Sequence, residues 1–116
     1  MDISKSNKNP EKCIAGASIF SGRPDPMWDV GKEVVKKLEE IWGSLESWTG
    51  EHPSAPPLGY RGCFLKCEPY REWFVYGGVI TLKSGGKPES RKDENRDFER
   101  LLLNSAPKGV LPEGIV

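Results

Sequence analysis

The chain has 116 residues, 36% of them hydrophobic and 29% charged, and its 17 basic and 17 acidic side chains balance to a net charge of zero. That length suits one domain, and folding buries roughly two thirds of the surface of such a chain, enough for a core that needs neither metal nor disulfide. The missing basic excess argues against a nucleic-acid partner, and no stretch approaches the ~20 apolar residues of a membrane span.

Residues 1–12, MDISKSNKNPEK, hold no apolar signal-peptide core and read as a flexible lead-in. The default expectation is a soluble, cytoplasmic protein with one domain over residues 13–116. The run CIAGASIF (Cys13 to Phe20) reads as a first strand. Its small centre, Ala15 to Ser18, marks a place where a bulky neighbour or another backbone comes close. FSGRPDPMW (Phe20 to Trp28) follows as a proline-stiffened connector.

From Gly31 to Leu45 the apolar residues Val34, Val35, Leu38, Ile41, Trp42 and Leu45 recur at helical period, with charged residues on the opposite side. Asp29 is the expected N-terminal cap. ESWTGEHPSAPPLGYRG then runs over the surface as a proline-rich loop, with Trp48 pinning it down. YRGCFLKC reads as a strand, Glu68 to Arg71 as a turn, and EWFVYGGVITL as a longer second strand in an antiparallel hairpin. On that second strand Trp73 and Val75 face one side, Phe74 and Tyr76 the other. Large groups on both faces make it central or covered twice, and Gly77-Gly78 reads as a bulge or bend within it.

SGGKPESRKD is expected to be a loop. A second helix runs from about Glu94 to Ser105, capped by Asp93, lined inside by Phe98, Leu101 and Leu102, and stopped by Pro107. The tail KGVLPEGIV docks as an extended segment. The order β-α-β-β-α gives an α+β fold: a small, mainly antiparallel sheet with two helices packed on one face.

The chemistry-bearing residues are few. Three cysteines, Cys13, Cys63 and Cys67, form an odd number without a secretory signal, which points to free thiols. Cys63 and Cys67 on one strand would stand about 13 Å apart at ~3.3 Å per residue, too far to bond each other. With His52 as the sole histidine, four zinc ligands do not assemble. Nucleotide-binding glycine signatures and the serine nucleophile elbow are missing, and neither cofactor nor metal is expected. KSGGK (Lys83 to Lys87) reads as a hinge, and the mixed charges from Lys83 to Arg100 as a solvated face.

Two stretches stand out. SGRPDPMW joins Arg23, Asp25 and Trp28, and LGYRG joins Tyr60 and Arg61. Arginine beside aromatics is a frequent recipe for anionic or planar ligands and for protein hot spots. The plainer alternative is a rigid corner in which Arg23 and Asp25 pair or cap while Trp28 plugs the junction of sheet and helix. On FSGRPDPMW, LGYRG and WFVYGGVIT the chain resembles a loose group of small bacterial proteins with no assigned activity. The resemblance implies that the two stretches belong together, and it brings no substrate, cofactor or catalytic residue.

The expected function is a non-enzymatic binding or accessory domain with a protein partner, its contact surface formed by Arg23, Asp25, Trp28, Tyr60 and Arg61. One alternative is a small enzyme or ligand carrier with a pocket between the proline-rich loop, His52 included, and the Cys63/Cys67 strand. Another is a structural subunit of a larger assembly.

Overall fold

The computed structural model describes residues 12–19, 24–55 and 59–112. Among these the chain forms β1 (Cys13–Ala17), β2 (Met27–Asp29), α1 (Lys32–Ser44), β3 (Cys63–Cys67), β4 (Arg71–Tyr76), β5 (Val79–Lys83), β6 (Glu89–Lys92) and α2 (Asp97–Asn104). The strands make one sheet in the order β2-β1-β3-β4-β5-β6, and every neighbouring pair is antiparallel. The α+β class, with both helices on one face of an antiparallel sheet, is as the sequence implies.

Strand alternation builds the core. Ala15 and Ala17 of β1, Cys63 and Leu65 of β3, Trp73 and Val75 of β4 and Ile80 of β5 are buried on the helix side. They meet Val35, Leu38 and Trp42 of α1 and Phe98, Leu102 and Leu103 of α2 in one cluster. Val34, Ile41 and Leu45 flank it half-buried, so the helical stripe read from the sequence is the one that packs. Val110 and Leu111 of the tail also pack against this cluster.

Several sequence expectations are corrected. The connector after β1 contains a strand: Met27–Asp29 folds back on β1, with Ala15 opposite Trp28. Asp29 therefore belongs to β2, and the N-cap of α1 is Gly31, with no side-chain cap. The long second strand is two strands. Gly77 and Gly78 both have positive φ, 63° and 84°, the backbone of a two-residue hairpin turn whose twist matches the flanking strands. SRKD is not all loop, because Glu89–Lys92 pairs with β5 as β6. The free-thiol expectation fails for two of three cysteines: Cys13 and Cys67 form a disulfide, and Cys63 alone is free and buried. Antiparallel pairing explains it. Glu68 N–H donates to the Lys12 carbonyl, so the next pair, Cys13 opposite Cys67, is a non-hydrogen-bonded pair, where side chains lie closest.

Other readings hold. Gly16 lies under the Phe64 ring, and a Cβ there would sit 2.2 Å from Phe64 Cζ. Asp93 caps α2 from outside the helix: its carboxylate accepts from the N–H groups of Phe98 at 3.2 Å and Glu99 at 3.0 Å. Trp48 pins the proline-rich loop, its indole N–H donating to the Glu51 carbonyl while Lys92 sits over its ring.

Both sheet edges are blunted. β2 has three residues and follows Pro24 and Pro26, a pattern that discourages edge pairing. At the other edge Ser47 bridges to Arg91. There Trp48 N–H donates to the Ser90 carbonyl, and Lys92 N–H to that of Glu46.

Candidate functional site

Four of the five residues singled out in the sequence are in view, and they play different parts. Arg23 lies outside the described residues. Asp25 holds its own loop: its carboxylate accepts from Ser18 Oγ at 3.4 Å and from Ile19 N–H at 3.3 Å. Arg61 N–H donates to the Ser18 carbonyl at 2.7 Å. The two motif stretches thus converge on Ser18 and Ile19, at the end of β1. Trp28 is no surface residue. It is 5% exposed, and its indole N–H donates to Ser105 Oγ, 2.9 Å away beyond the end of α2. An aromatic on the helix side of an edge strand is drawn into the core, which removes it from the expected contact surface.

Tyr60 leads to a residue that the sequence did not single out. Its hydroxyl donates to Glu99 Oε2 at 2.5 Å, and its ring packs at a tilt on Tyr76. Glu99 is buried among the helix-side apolar groups, with Arg96 3.6 Å from its other oxygen. Burial, reinforced by nearby Cys63 and by the hydrogen bond to Glu99, pushes the Tyr60 hydroxyl far above its ordinary value. Burial also lifts the Cys63 thiol to about 12, helped by Glu99 and Asp93 and opposed by its hydrogen-bond contact with Tyr60. At neutral pH both groups keep their protons, so neither is poised as nucleophile or base. The cluster ties the loop before β3 to α2.

Among the described residues, His52 and the cysteines expected to share a pocket are not brought together. Cys67 is in the disulfide, and Cys63 is fully buried on the helix side. His52 lies over the opposite face, its Nε2 2.9 Å from Ser90 Oγ, which in turn is 3.0 Å from Thr81 Oγ1. A serine within reach of an imidazole needs a third group to orient the ring. No such group bonds His52 among the described residues, and the contact works as a tether for the loop.

That tether defines the other face of the sheet. The proline-rich loop leaves α1, passes the β6 edge and lies over β5 and β6. Pro53 occupies the space beside Gly77, and Val79 is buried although alternation points it away from the helices. The part formed by β2, β1, β3 and β4 stays uncovered among the described residues. It carries Met27, Ile14, Phe64 and Phe74, with Lys66 placed over the Phe64 ring at 5.2 Å. Phe74 is 42% exposed and Met27 59%. At the β3–β4 turn this face runs into a groove of about 390 Å³ lined by Ile14, Met27, Lys66, Pro69, Tyr70 and Glu72. β4 is therefore central but covered on one side only. The alternation in CFLKC and EWFVY already sets Phe64, Lys66 and Phe74 apart from the core residues. What it lacks is any sign of which face the helices choose.

Comparison with known proteins returns no match to a protein-family model, a curated protein or a solved structure.

Proposed function

We propose that the protein is a binding module that docks a macromolecular partner on the open face of β2, β1, β3 and β4. One observation carries this reading. Met27, Phe74 and Tyr70, the large hydrophobic side chains left exposed among the described residues, all belong to that face and its bordering groove. Contiguous apolar exposure rimmed by polar groups marks an interaction surface, and aromatics are the usual anchors there. The convergence of Asp25 and Arg61 on Ser18 supports a rigid frame behind this face, not a contact patch of its own. The buried, protonated Tyr60 and Cys63 favour binding over catalysis. The Cys13–Cys67 disulfide supports an oxidising compartment, against the cytoplasmic default taken from the sequence of residues 1–12.

Site-specific photo-crosslinking tests the reading. A benzophenone amino acid is placed at position 74, at position 27, or at exposed position 40 on α1 as a control. Adducts at 74 and 27 and none at 40 are expected. Adducts at 40 alone, or equally at all three, would refute it.

A further inference from the structure

We draw no further inference here: the strongest candidate, the uncovered sheet face of β2, β1, β3 and β4 with the groove at the β3–β4 turn, belongs to the site already described, and nothing among the described residues shows what covers it.

Discussion

The Cys13–Cys67 disulfide staples the first strand of the chain to a strand 54 residues later, and removing it should be felt throughout the fold. Closing a loop of that length withdraws on the order of 14 cal/mol/K from the unfolded chain, or about 4 kcal/mol at 25 °C. Unfolding 116 residues releases on the order of 240 cal/mol/K at the midpoint, so the loss corresponds to a Tm roughly 15 °C lower. Both sulfurs are buried beside β1 and β3, and Cys13→Ala with Cys67→Ala adds about 1–2 kcal/mol of lost packing. The assay is calorimetry of the oxidised protein, of the same protein in reductant, and of the double variant. It is paired with thiol counting in denaturant. One titratable thiol, Cys63, is expected before reduction and three after it. Three thiols in the untreated protein, or a Tm that moves by less than a few degrees on reduction, would refute the reasoning.

Alkali should unfold the protein early. Cys63 keeps its proton to about 12 in the folded state, whereas the unfolded thiol releases it near 8.5. Above that pH the unfolded chain binds fewer protons, so stability falls as pH rises. It is fully present below about pH 8.5 and declines by ~1.4 kcal/mol per pH unit toward the folded value. Tyr60, raised in the same direction, adds to the fall above about pH 10. Denaturant melts between pH 7 and 11 should show this slope, and Cys63→Ala should flatten it; equal slopes would remove Cys63 as the cause. Tyr60→Phe takes the hydrogen bond from a buried carboxylate and should destabilise by about 1–3 kcal/mol. The loss should shrink when Glu99→Leu is added, and additive losses in that double-mutant cycle would show that the pair is not coupled. Gly16→Ala drives a methyl group into the Phe64 ring and should cost about 1–3 kcal/mol. Combining it with Phe64→Ala should return part of that loss, and a neutral Gly16→Ala would mean the ring swings away freely.

How far the sequence reaches depends on the range of the interactions involved. The stripe from Val34 to Leu45 is a local pattern, written within one helix, and the residues named by it pack as expected. Asp93 four residues before α2 and the turn between β3 and β4 are legible for the same reason. β2 and β6 are not. Met27–Asp29 and Glu89–Lys92 are short and carry polar residues, and they become strands only because a neighbour offers hydrogen bonds. Gly77-Gly78 sits in a continuous apolar run. Local reading takes it as a bend within one strand, and only the pairing of β4 with β5 shows a hairpin.

The candidate site divides along the same line. Arginine and aromatic content drew attention to Trp28 and Tyr60, yet Trp28 is consumed by a contact with Ser105, and Tyr60 by one with Glu99. Both partners lie far along the chain. By itself the sequence determined the α+β class, the amphipathic α1 and the capped α2, because propensity and periodicity act over a few residues. Only the tertiary structure decided that Cys13 meets Cys67, that the loop lies over β5 and β6 on one sheet face, and that Phe74 and Met27 remain in solvent. Those outcomes depend on strand order and on which face the helices take, and contacts between residues distant in the chain set both.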